Sequence, residues 1–223
     1  MTTYADVNAA GTADDAWSLV VPLKPLARAK SRLGPAVGGP LRGRLALAFA
    51  EDTVAAALAV PGVRDVVVVT DDPVAGAALS ALGARIVPDV PGAGLNAALA
   101  HGARAVRAVR PSARVAALNA DLPALRPAEL GRVLAVAGQF GRAFLADAAE
   151  IGTTFLSAAA GVELEPAFGG ASRRRHLSSG AVEIRLAGVD SVRRDVDTGE
   201  DLAAAVALGL GPRTAARWVP AAG

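Results

Sequence analysis

Val66-Val-Val-Val-Thr-Asp-Asp-Pro73 is the stretch that decides the architecture. Four β-branched residues in a row offer no polar face, so the run reads as a strand covered on both sides, as strands inside a parallel sheet are. Thr70-Asp-Asp-Pro73 then turns the chain into a helix over 74–82. Parallel neighbours need crossover connections, and the flanking sequence supplies them. Upstream, Leu19-Val-Val21 reads as a first strand. Leu41, Leu45, Ala48 and Phe49 recur at helical spacing in a helix over 41–59, which Pro61-Gly62 ends. Downstream follow a short strand at 85–87, a Pro/Gly-rich loop at 88–94, a helix at 96–109, a strand at 115–118, a helix at 127–137 and a strand at 143–146. After Asp147 the rhythm loosens. Strands are expected at 153–156, 182–186 and 192–196, and a closing helix at 201–208. The pattern predicts an α/β fold: one domain over 17–223, with a mostly parallel mixed sheet and flanking helices.

Composition agrees. The chain has 223 residues, enough for one sizeable domain, and is 52% hydrophobic but only 4% aromatic, so its core must be Val, Leu and Ala. No apolar run approaches the ~20 residues of a membrane span, and the absence of cysteine excludes disulfides and thiolate metal sites. Residues 1–16 are polar, lack the features of a secretory signal and read as a disordered tail; a cytoplasmic address is expected. The net charge is +2 with both signs interleaved, which speaks against a nucleic-acid partner and for local basic clusters that meet a small phosphate.

In open α/β sheets ligands sit beyond the carboxyl ends of the strands, so the polar residues after each strand carry the search for chemistry. No G-x-x-x-x-G-K-[ST] motif is present, and Gly209-Leu-Gly211 follows a helix and not a strand, so neither a P-loop nor a dinucleotide fingerprint is made. Asp121 directly follows a strand. Asp195 and Asp197 stand two apart, and on extended backbone such carboxylates project from one face. Oxygen ligands of this kind suit Mg²⁺ bridged to phosphates; the competing reading is a helix N-cap and a solvated turn. The chain's lysines are Lys24 and Lys30, both in the segment after the first strand, where with Arg28 and Arg32 they would neutralise a triphosphate or form an exposed basic loop. Gly152-Thr-Thr154 and Phe168-Gly-Gly-Ala-Ser172 offer hydroxyls and unhindered amides for a small anion, or plain turns. His176 lies near that loop and is a candidate anion contact. Asn96 is a candidate reader of the base or a helix cap, and Asp71 and Asp72 face a nucleotide or serve a turn.

Taken in order, Pro22-x-Lys24, Ala29-Lys-Ser-Arg-Leu33, Asn119-Ala-Asp-Leu-Pro123, Gly152-Thr-Thr154, Phe168-Gly-x-x-Ser172, Ser179-Gly-Ala181 and Asp195-Val-Asp-Thr198 resemble the phosphoenolpyruvate / 2-phospho-L-lactate guanylyltransferases of coenzyme F420 biosynthesis. The resemblance implies a nucleotide-diphospho-sugar-transferase-like (GT-A) fold and Mg²⁺-dependent guanylyl transfer from GTP. It implies Asp121, Asp195 and Asp197 as metal ligands and Thr153, Gly169 and Ser172 as contacts of the phosphorylated acid. Lys24, Lys30 and Arg32 would then steady the β- and γ-phosphates. Phosphoenolpyruvate is the favoured acceptor, with 2-phospho-L-lactate or 3-phosphoglycerate as alternatives. Functional coupling to the next F420-pathway enzyme is a further expectation. Rival readings are a sugar-1-phosphate nucleotidyltransferase and a non-catalytic nucleotide-binding subunit.

Overall fold

In the computed structural model, residues 16–30, 33 and 39–218 are described. The expected tail over 1–16 thus lies outside them except for its last residue, and so does Arg32. The strands are β1 (Trp17–Pro22), β2 (Val63–Val69), β3 (Arg85–Val87), β4 (Arg114–Leu118), β5 (Arg142–Ala146), β6 (Thr153–Ala158) and β7 (Val182–Glu183). They form one sheet in the order β3-β2-β1-β4-β6-β5-β7. β1, β2, β3 and β4 pair in parallel, while β6 runs antiparallel to both β4 and β5. This reversal matters for the site. It brings the start of β6 to the same edge as the carboxyl ends of β1, β4 and β5.

The helices are α1 (Gly39–Leu58), α2 (Pro73–Ala81), α3 (Leu95–Val109), α4 (Pro127–Ala137), α5 (Ser172–Ser178), α6 (Asp190–Arg193), α7 (Gly199–Leu208) and α8 (Pro212–Arg217). They cover both faces, as the unbroken valine run requires. Val66 and Val68 pack with Val54 of α1 and Leu130 of α4, whereas Val67 and Val69 pack with Leu99 and Val106 of α3. A third cluster joins Leu45 and Phe49 of α1 to Val196 and Leu202, and it anchors the segment that carries two of the candidate aspartates.

α3 approaches the sheet so closely that Gly102 has no room for a side chain. A Cβ there would stand 2.5 Å from Val20 Cγ1 and 2.8 Å from Val69 Cγ2. Gly102→Ala is therefore expected to lower stability by about 1–3 kcal/mol through overpacking, despite its better helix propensity, read from denaturant midpoints.

Two expectations need correction. The strand expected at 192–196 is instead α6 followed by irregular chain. Its apolar positions Val189, Val192 and Val196 recur at steps of three and four, which suits a helical turn better than a strand. Ser191 also fastens the turn to α4, its N–H and hydroxyl donating to Glu129 Oε2 at 2.9 and 2.8 Å. The strand expected at 182–186 shortens to two residues at the sheet edge. α8, absent from the sequence reading, begins at Pro212, and the buried Asp52 carboxylate accepts the N–H groups of Arg213 and Thr214 at 3.1 and 2.7 Å.

Candidate active site

A cavity of about 640 Å³ opens at the sheet edge where β1, β4 and β5 end and β6 begins. One wall is acidic. Asp121 follows β4 by a short turn, and Asp195 and Asp197 flank Val196, whose side chain is fully buried. Val196 also donates its N–H to the Asp121 carbonyl at 3.1 Å. With the middle residue held inward, its two neighbours face the cavity, and all three carboxylates line it.

Lys30 stands among them. Its ammonium binds the Asp121 carboxylate and lies 2.9 Å from Asp197 Oδ1, and its side chain is 10% exposed. The backbone there is left-handed at φ 54°, uncommon for a residue with a side chain, and its carbonyl accepts the Leu33 N–H at 3.0 Å. Burial alone would lower the Lys30 pKa, but Asp121 and Asp197 outweigh it and hold the ammonium above its usual value. Asp195 moves the other way. Burial first, then the facing Asp121 and Asp197, push its carboxyl up to about 7 against the pull of Lys30.

Asp121 Oδ1 is buried without a hydrogen-bond partner. Negative charge thus exceeds positive charge at this wall, and one carboxylate oxygen is left for a cation to satisfy. Among the described residues no three carboxylates or imidazoles gather closely enough to hold a metal alone.

The opposite wall presents hydroxyls and unhindered main chain. Gly169 and Gly170 take successive positive φ values of 95° and 48°, with open space where side chains would be. Thr153 and Ser172 line the cavity beside them, and Thr154 does not. Lys24 and Arg28, exposed, complete the rim.

Asn96 does not reach the cavity lining. Its carboxamide is spent on the main chain of Phe168, accepting the N–H at 2.8 Å and donating to the carbonyl at 3.2 Å. Nor does it cap α3, whose N-cap is Gly94. In this structure its side chain ties the 168–172 loop to α3. Asp72 takes the turn role, capping α2 through Val74 and Ala75 and accepting the Leu26 N–H of the basic segment at 2.8 Å.

One residue of the cavity lining, Asp147, escaped the sequence reading, whereas His176, placed near the 168–172 loop by the sequence, lies behind the lining. Asp147 accepts the N–H groups of Ile151 and Gly152 at 3.0 and 2.8 Å, shaping the turn into β6. Its place at a strand end was a usable signal. His176 is fully buried, 5.3 Å from the Phe168 ring and 5.5 Å from Phe144. Burial chiefly, with Arg175 and Arg142 nearby, lowers its pKa from 6.5 to about 4. The unfolded chain therefore takes a proton at this residue near pH 6.5 and the folded ring only near 4, so stability must fall with pH across that window. From pH 7 to 5 the His176 contribution is expected to be a loss of about 2 kcal/mol. Unfolding midpoints of wild type and His176→Gln over that range check it, the variant lacking this part of the slope.

The sheet order and the reversed β6 define a fold shared with a Desulfovibrio desulfuricans protein described as a nucleotide-diphospho-sugar transferase, at TM-score 0.62 and 15% identity over 83% of this chain and 84% of that one. Within that fold class the chain belongs to the family described as Guanylyl transferase CofC like, which matches residues 17–216. A Streptomyces coelicolor protein named phosphoenolpyruvate guanylyltransferase is 70% identical over 90% of this chain and 94% of its own length. A Streptomyces avermitilis protein of the same name is 71% identical, over 90% and 93%. No helix among the described residues is long and apolar enough to cross a membrane.

Proposed function

We propose that the protein transfers the guanylyl group of GTP to the phosphate of phosphoenolpyruvate, yielding enolpyruvyl-2-diphospho-5'-guanosine and pyrophosphate, as a cytoplasmic step of coenzyme F420 biosynthesis. The observation that carries the reading is the facing of two walls in one cavity, carboxylates and Lys30 on one side, hydroxyls and left-handed glycines on the other. Such a cavity accommodates two anions of different kinds end to end. The names of the Streptomyces relatives supply the choice of acid.

The chemistry asks for little proton transfer. A phosphate oxygen of the acceptor, already ionised near neutral pH, attacks the α-phosphorus of GTP. The bond from that phosphorus to the oxygen bridging the β-phosphate breaks, and pyrophosphate leaves. What the protein supplies is alignment and charge. Thr153, Ser172 and the Gly169 main chain would hold the acid, and Lys24, Lys30 and Arg32 would steady the β- and γ-phosphates. Asp121, Asp195 and Asp197 would hold a divalent ion, Mg²⁺ by the hardness of their oxygens, and the orphaned Asp121 Oδ1 fits that use. When bound, such an ion neutralises charge on the phosphates.

The test crosses four nucleoside triphosphates with phosphoenolpyruvate, 2-phospho-L-lactate, 3-phosphoglycerate and a hexose 1-phosphate, with and without Mg²⁺, and follows pyrophosphate. Release is expected with GTP and phosphoenolpyruvate above the other pairs. Release with the hexose phosphate alone, or GTP binding with no turnover for any acceptor, would overturn the proposal.

A further inference from the structure

His176 touches nothing in the cavity, yet both its ring nitrogens are engaged. Nε2 lies 3.0 Å from the main-chain N of Ala167, and Nδ1 lies 3.0 Å from Thr153 Oγ1. Ala167 can only donate, so Nε2 must present a lone pair, and the one proton of a neutral imidazole is then on Nδ1. Nδ1–H therefore donates to Thr153. The Thr153 and Ser172 hydroxyls meet each other at 3.1 Å, and their oxygens have no other partner among the described residues. The proton count follows. Two hydroxyls carry two protons, their mutual bond uses one, and the imidazole accepts none. One hydroxyl proton is left, and both residues line the cavity. In the opposite tautomer Nδ1 would take the Thr153 proton, Ser172 would donate to Thr153, and the cavity would face lone pairs only.

We infer that His176 is a positioning residue whose tautomer, fixed by the Ala167 N–H, makes the Thr153–Ser172 pair a hydrogen-bond donor toward an anionic oxygen of the acid. This rests on the proposed reading of Thr153 and Ser172 as acid contacts. It gives the ring's deep burial a purpose beyond packing against Phe144 and Phe168. A ring nitrogen held by main chain cannot exchange tautomers without breaking that bond, so the polarity of the pair is set before substrate arrives.

Two measurements test it. Long-range ¹H–¹⁵N correlation on the full chain at pH 7, with the His176 signals identified by their loss in His176→Gln, is expected to show the Nδ1–H tautomer. An Nε2–H tautomer or an imidazolium would overturn the inference whatever the protein's substrate. The second measurement is kinetic. Gln at 176 can keep an acceptor near the Nε2 position but removes the donor to Thr153; Asn keeps a donor near Nδ1 but releases Ala167. His176→Gln is expected to raise the KM for phosphoenolpyruvate about tenfold or more with the GTP KM unchanged, the scale of a lost hydrogen bond to a charged group. His176→Asn should raise it less. Thr153→Val should mimic His176→Gln, and the double variant should add nothing, because the ring acts through that hydroxyl. Equal changes in both KM values, or additive effects, would refute it. Absence of turnover in wild type with these substrates would instead fail the proposed reaction, and the tautomer spectrum would still decide the role of His176.

Discussion

Asp195→Asn is expected to lower pyrophosphate release from GTP by at least about 100-fold while leaving the protein as stable as wild type or more so. The two halves have one cause. Asp195 is half-buried and faces two other carboxylates, which with burial raise its pKa to about 7, so its charge destabilises the substrate-free protein. Among the described residues its one hydrogen-bond contact is with Asn119 Nδ2 at 3.5 Å, too long to add much. Asn has nearly the same shape and removes the charge, so the fold loses nothing. The reaction loses a negative group that is proposed to hold a cation against the phosphates. Opposed changes in activity and stability are what a site strained for function produces. Turnover at saturating Mg²⁺ and a thermal melt on the same preparation check both halves, and near-normal turnover would remove Asp195 from the mechanism.

The sheet and its early helices were legible because each signal is local. Val66 to Val69 needs no distant residue to read as a doubly covered strand, and Pro127 to Ala137 is bounded by its own proline. Asp195 and Asp197 were readable as a converging pair because the i, i+2 relation survives in irregular backbone once Val196 is buried. What stayed hidden depends on chain-distant partners. The helix at 190–193 is fixed by Glu129, and α8 is capped by Asp52, more than 150 residues earlier in the chain. His176 gains its place only when Phe144, Thr153 and Ala167 arrive from three other segments. The tie from Asn96 to the Phe168 main chain was hidden for the same reason, its partner lying 72 residues away.

Lys30→Met is expected to lower turnover by about 100-fold and also to destabilise the substrate-free protein, the reverse of the stability change at Asp195. The methionine keeps most of the aliphatic stem but removes a charge that reaches both Asp121 and Asp197. Breaking a fully buried ion pair leaves a stranded charge and costs about 3–5 kcal/mol. Here Asp197 is 53% exposed and keeps much of its hydration, which brings the expected loss to about 1–2 kcal/mol. That corresponds to a fall of roughly 2–8 °C in Tm for a domain of this size. The sign of a further effect follows from the same geometry. In wild type the ammonium neutralises the carboxylates that are proposed to hold the divalent ion, so Mg²⁺ entering without nucleotide must compete with it. In the variant that competitor is gone, and millimolar Mg²⁺ should restore part of the lost Tm while shifting the wild type less. The triphosphate is expected to change the balance in wild type, because its oxygens would give the ammonium a further anionic partner and let cation and Lys30 share the site. A variant that keeps its Tm without Mg²⁺, or that Mg²⁺ stabilises no more than wild type, would show that Lys30 does not occupy the cation's place.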